Sequence, residues 1–299
     1  MIWVNQIVQG VLLGGYYAVL ACGLSLMFGV MRIINLAHGD LAVLGAFLVF
    51  VLSEHGLSPW VALIPVLAVM ALLGWALQRT MLERSLRSGV LTPLLTTFGL
   101  AIVIQNLLFE KFGANERSLF PYIGKLGYDS WTVTSQIHVA KLYVLIFAVA
   151  VALLGGLQLF LARTPLGRSL RATAEDPDTA ELVGVNSRAV YAFAAAIALA
   201  TAALAGAFLG MRSSFDPYSG SQQLIFAFEA VVIGGLGSLW GTLLGGIVLG
   251  VSQNIGAQIN PQWFLLAGNV VFLVILAVRL VLTGLAARGG IRAFLGQHA

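Results

Sequence analysis

Asn35, His38 and Asp40 place an amide, an imidazole and a carboxylate close together in RIINLAHGD, between two apolar runs. Such a trio suits a metal site or general acid–base work. Neither chemistry is expected here. The other histidines, His55, His138 and His298, fall in loops or the tail, and the single cysteine, Cys22, sits inside an apolar run. No further ligand stands at metal spacing, so no metal is expected. His38 is expected to bond local backbone, with a gate or proton carrier as the alternative role. Glu229 is a second singular group, an acid inside an apolar helix-forming run. Ionisable groups there are costly and usually face a cavity or a partner. It is a candidate to meet a substrate ammonium; capping a short helix near the outer surface is the other reading.

The third group is the glycine-dense GGLGSLWG, with Gly234, Gly235, Gly237, Ser238 and Gly241. Glycine permits an unwound turn, and Ser238 can bond backbone groups freed by it. Unwound backbone at membrane depth survives only beside protein or water. Asn35, His38, Glu229, Gly234, Gly235, Gly237, Ser238 and Gly241 are therefore expected to line a translocation pathway, with close helix packing as the alternative for the glycines. RIINLAHGD and GGLGSLWG interrupt apolar runs at comparable places in the two halves, a pattern that points to a transport route. No GxxxxGK[ST] phosphate loop and no hydrolase or kinase signature occurs. No catalytic residue and no cofactor is expected, and any ATP hydrolysis must come from another chain.

The elements that position these groups are membrane spans. Of 299 residues, 59% are hydrophobic and 9% charged, with mean hydropathy +0.95. Soluble domains carry about a quarter charged residues. Apolar runs of about 20 residues without strand alternation select helices, which satisfy their own backbone in lipid. An all-α polytopic bundle of eight or nine segments follows, forming a single transmembrane domain over residues 1–299 in contact with membrane lipid. Spans are expected near 5–30, 59–77, 93–109, 142–161, 189–211 and 263–282, with shorter pieces near 41–52, 224–233 and 242–255. The N-terminus lacks a basic region and a small-residue cleavage site, which reads as a retained first span.

The sequence pI near 9.5 reflects arginines set singly at span ends, a topology signal that argues against nucleic acid as a partner. Eleven of the 16 Lys and Arg residues fall on one side if Arg32, the Arg79–Arg87 loop, Arg163–Arg188 and the tail with Arg279, Arg288 and Arg292 are cytoplasmic. The N-terminus is then outside and the C-terminus inside.

Between two spans lies a polar island, residues 163–188. Thr164 and Pro165 read as an N-cap and first helical position, and Asp176 and Pro177 repeat the signal. Asp178 and Glu181 suit the positive helix start, and Gly184 can supply the left-handed stop. A short rod is expected, with Ala180 and Val183 on one side; a merely solvated loop is the alternative.

RATAEDPDTAELVGVN in this island, GLSLMFGVMRIINLAHGD and VVIGGLGSLWGTLLGGIVLG resemble, in the same order, blocks of the permease subunits of branched-chain amino acid ABC importers. That resemblance implies a type II importer-like permease with short interrupted helices in a bacterial inner membrane. It also implies a homologous second permease, giving a heterodimer, two cytoplasmic ATP-binding subunits and a periplasmic substrate-binding protein. Residues 163–188 would be the coupling loop. Arg171, Glu175, Asp176, Asp178 and Glu181 would make its polar contacts with the ATPase, Ala180 and Val183 its packing, and Gly184 would set its shape. Members carrying urea or short amides belong to the same class. A stand-alone secondary transporter or channel would need paired intramembrane charges, and an intramembrane enzyme a nucleophile beside a base.

Overall fold

A computed structural model describes residues 2–86, 89, 91–134 and 137–296, with side chains described except at 132–138 and 282–296. Arg87 and His298 lie outside the described residues, as do the side chains of His138, Arg288 and Arg292. Helices α1 (Ile2–Met31), α2 (His38–Glu54), α3 (Pro59–Leu77) and α4 (Thr92–Phe112) come first, α3 being prolonged by a π turn over Gln78–Leu82. An antiparallel hairpin, β1 (Ser130–Thr134) and β2 (Ile137–Ala140), lies in the long polar loop. Then come α5 (Lys141–Arg163), α6 (Pro165–Glu175), α7 (Pro177–Leu182), α8 (Ser187–Arg212), α9 (Gly220–Gly234), α10 (Leu239–Ile259) and α11 (Trp263–Gly296). Proline opens α3, α6 and α7 at the first turn, where its missing N–H is not needed.

Six helices are long and apolar enough to cross a membrane, and α9 with α10 forms a further pair bent by 115°. The 17-residue α2 is too short to join them. The architecture is all-α and polytopic, with the small hairpin as its only sheet among the described residues. Burial separates core from periphery: 89% of the apolar window of α1 and 72% of that of α8 are buried, against 6% for α11. Small residues make this core. Gly10 and Gly14 of α1 meet Gly250 and Gly246 of α10 so closely that any Cβ would strike opposing backbone. Four-residue glycine spacing on both helices permits that approach.

Cross-helix contacts sort the helix ends into two groups. At one end Arg188 Nε lies 3.2 Å from Glu83 Oε1, Arg279 Nη1 donates to Val232 O at 2.7 Å, and Gly29 faces Gly237. This is the basic end. At the opposite end Gln6 Nε2 donates to Gln258 Oε1 at 2.6 Å, and Leu119 N–H donates to Gly210 O at 2.7 Å.

From the basic end of α1 the chain doubles back, and α2 begins inside the bundle. The His38 ring Nε2 is 2.8 Å from Leu20 O, in the interior of α1. The Leu36 N–H donates to Thr97 Oγ1 of α4 at 3.1 Å, and Gln105 Nε2 donates to Asp40 Oδ1 at 2.8 Å. The α8–α9 connection makes the inverse excursion from the opposite end. Phe215 exchanges backbone hydrogen bonds with Arg117, Tyr218 packs on Phe109, and Tyr16 donates to Gln223 Oε1 at 2.6 Å. Gly39 and Gly220 meet where α2 and α9 begin, with no room for a Cβ on either. Units α1–α4 and α8–α11 thus run in opposite directions: α1 packs along α10 as α8 packs along α3, while α2 meets α9.

This corrects one expectation. The counterpart of RIINLAHGD is the segment 213–219, whereas GGLGSLWG is a turn at the basic end, where Gly237 faces Gly29. Hydropathy records where an apolar run stops; depth is decided by what packs opposite the stop.

Candidate functional site

The polar island folds into two capped helices. Thr164 Oγ1 accepts from Gly167 N at 2.9 Å and starts α6. Asp176 starts α7: Oδ1 accepts from the N–H groups of Asp178 and Thr179 at 3.0 and 3.1 Å, and Oδ2 from the Thr179 hydroxyl at 2.6 Å. The Thr179 hydroxyl, then the N–H groups of Thr179 and Asp178, hold the exposed Asp176 carboxyl below its ordinary range. At the other end Gly184 takes φ 88°, with Gly184 N–H on Glu181 O and Val185 N–H on Ala180 O, both at 3.0 Å. That paired bonding closes a short helix on a left-handed glycine.

Arg171, Glu175, Asp176, Asp178 and Glu181 are all exposed on this island. Ala180 is not. It is 3% exposed and packs within the chain, so it offers nothing to a partner. Val183, the C-cap of α7, has left the helical face that holds Ala180 and is 77% exposed; beside it Leu182 is 87% exposed. The apolar tip is Leu182 with Val183. Leu182 went unnoticed in the sequence, although an apolar side chain beside a helix stop and a glycine was the available signal.

The pathway candidates divide between two places. Asn35 and His38 lie at the buried start of α2, where Asn35 Oδ1 accepts from Ala37 N at 3.0 Å. His38 does bond backbone, though on α1 and not locally, and its Nδ1 has no partner. Gly234, Gly235, Gly237, Ser238 and Gly241 form the turn at the basic end. Gly235 and Gly237 take φ of 102° and 81°, Ser238 Oγ accepts from Gly241 N at 3.1 Å, and Gly234 and Gly241 press backbone to backbone. That contact is close helix packing. Glu229 lies within α9, five residues from its basic end and 2% exposed, which removes the reading of a cap near the outer surface.

Other polar groups at the mid-depth junction have partners that no local pattern names. Gln105 bridges Asp40 and Ser221, Tyr17 donates to Gln253, and the Arg212 guanidinium lies 4.5 Å from the Tyr16 ring. Their partners are distant in sequence, so spacing could not reveal them.

A family model described as the permease component of branched-chain amino acid transport systems matches residues 6–279. The chain is 32% identical over 269 residues to BraD of Pseudomonas aeruginosa, a high-affinity branched-chain amino acid transport system permease protein, covering 86% of this chain and 87% of that one. Escherichia coli K12 LivH, of the same description, is 29% identical over 85% of this chain and 86% of its own length. Escherichia coli K12 LivM, also a permease protein of such a system, is 28% identical over 87% of this chain and 66% of its own length. No solved structure matches the chain. With its apolar helices, buried small-residue seams and a match over nearly its whole length, the chain belongs to the branched-chain amino acid transport permease family and is a multi-pass membrane protein.

Proposed function

We propose that the chain is the membrane-spanning subunit of an ATP-driven importer that moves branched-chain or related amino acids across a bacterial inner membrane. The basic end faces the cytoplasm, as the arginine distribution favours. The observation that carries the reading is α7: a short helix capped at both ends that projects exposed Leu182 and Val183 beside acidic Asp178 and Glu181. It joins α5 and α8 through α6, so a push on it reaches one core helix and one peripheral helix. The chain has no phosphate loop of its own, so the push comes from two ATPase subunits, whose closure reorients α5 and α8. Arg171, Glu175, Asp176, Asp178 and Glu181 make the polar contacts of the joint, with Leu182 and Val183 packing and Gly184 fixing the stop.

Escherichia coli K12 holds two permease proteins of this description, LivH and LivM, and both resemble this chain. A homologous second permease is therefore the expected partner, and an external binding protein delivers substrate to the end opposite the arginines. The interior route runs by Asn35, His38 and Glu229, with the Gly234–Gly241 turn gating its cytoplasmic mouth.

Gly184→Val tests the joint, because a β-branched residue resists φ 88° while nothing within 4 Å opposes its bulk. ATP-driven uptake in vesicles is expected to fall to background with the protein still in the membrane. Full uptake in that variant would count against the reading. Purification should also bring ATPase chains with it, where a secondary carrier would work alone.

A further inference from the structure

Between α4, α9 and α11 lies a cavity of about 530 Å³, which opens sideways past exposed Ile225 and Leu273. That volume falls within the range of about 300–1,000 Å³ usual for small-ligand sites. Its lining is apolar, with Leu36 from the re-entrant segment, Leu94 from α4, and Leu224 and Phe228 from α9. Two polar side chains interrupt it, Glu229 and Asn269.

Glu229 is the anomaly. It is 2% exposed, and its Oε2 has no hydrogen-bond partner. Tyr16 pairs with Gln223, Tyr17 with Gln253 and Asp40 with Gln105. Ser25 Oγ, His38 Nδ1 and Gln253 Nε2 also lack partners, but among the described residues Glu229 is the one acid with a buried oxygen in that condition. A buried carboxyl oxygen without a donor is destabilising, and an intramembrane acid that faces a cavity points to a ligand. The cavity describes that ligand. It needs a cationic donor head for Glu229, a second polar group for the exposed Asn269 amide, and a compact aliphatic body for the leucine and phenylalanine walls.

We propose that this cavity holds the substrate in transit as an α-amino acid zwitterion. Glu229 takes the ammonium, the Asn269 amide donates to the carboxylate, and Leu36, Leu94, Leu224 and Phe228 surround the branched side chain. The proposal rests on the importer reading and deepens it by placing selectivity in the permease itself. A neutral amide or a sugar can donate a hydrogen bond to the Glu229 carboxylate but leaves its charge uncompensated, so the site favours a cationic head.

The test uses the complete importer with its partner subunits in proteoliposomes, measuring radiolabelled L-leucine moved per ATP hydrolysed. Glu229→Gln keeps the shape and removes the charge; leucine moved per ATP is expected to fall roughly tenfold or more, since truncating one partner of a desolvated ion pair has effects of that size. Glu229→Asp should restore part of the loss. Leu224→Trp narrows the cavity and should slow L-leucine more than the smaller L-valine. An unchanged leucine-to-ATP ratio in Glu229→Gln overturns the proposal, whether or not both rates fall together. If that variant does not assemble, an unchanged leucine-to-valine ratio in Leu224→Trp overturns it instead. Wild-type vesicles without ATP-driven amino acid uptake would sink the importer reading and the cavity assignment with it, a failure visible before any variant is made.

Discussion

Arg32 ends α1 at φ 54°, the only non-glycine residue at positive φ among those described. An L side chain is strained there, by roughly 1–2 kcal/mol. Arg32→Gly is accordingly expected to raise thermal stability in detergent by about 1 kcal/mol, read as a shift in melting temperature. Gly234 presents the opposite case. Its conformation is helical, but a Cβ would strike the Gly241 carbonyl. Gly234→Ala must force α9 from α10 and should destabilise by about 1–3 kcal/mol, seen as a lower melting temperature in the same assay. Both glycine density and the arginine were visible in the sequence. Which glycine served a turn and which a contact was not, because the two roles differ only in what stands opposite.

The short helix α7 shows how much an element owes to its own few residues. Asp176, Pro177 and Gly184 announced its start and stop, and the hydrogen bonds formed where expected because every partner lies within a few positions. The folded Asp176 carboxyl titrates below its ordinary value, so the cap favours the helix above the unfolded value of about 3.9. That contribution is lost as pH falls through the folded value. Amide exchange at Asp178 and Thr179 should therefore be insensitive to pH-linked fraying near neutrality and show added fraying only at strongly acid pH. Asp176→Ala should abolish the acid step and leave both amides exchanging faster throughout. The element's outward face was less legible. Ala180 and Val183 look equivalent on a helical wheel, yet the bundle covers Ala180 and the cap turns Val183 out with Leu182.

At the scale of the molecule, the two inverted units bring the starts of α2 and α9 together inside the bundle, where Gly39 meets Gly220. Helix N-termini gathered at mid-depth, with irregular backbone beside them, are a recurrent way to build a membrane crossing for solutes. Sidedness is testable in a background where buried Cys22 is replaced by Ala. Cysteine at exposed Trp131 should react with a membrane-impermeant maleimide in right-side-out vesicles, and cysteine at Leu182 only in inverted ones. Labelling of both from one side would break the proposed topology, and the exchanged pattern would reverse it.

The sequence by itself determined the solvent, the helical class, the approximate spans and the capped rod of the polar island. Those properties depend on composition and on neighbours a few residues away. Only the tertiary structure decided which interruption reaches mid-depth, that Ala180 faces inward, and that Glu229 lines a cavity with its buried Oε2 left without a partner. Such facts rest on contacts like Gln105 with Asp40, 65 positions apart, and Tyr16 with Gln223, 207 apart. In lipid an apolar run is equally content beside a helix or a hydrocarbon tail, so hydropathy locates a span without saying what it touches.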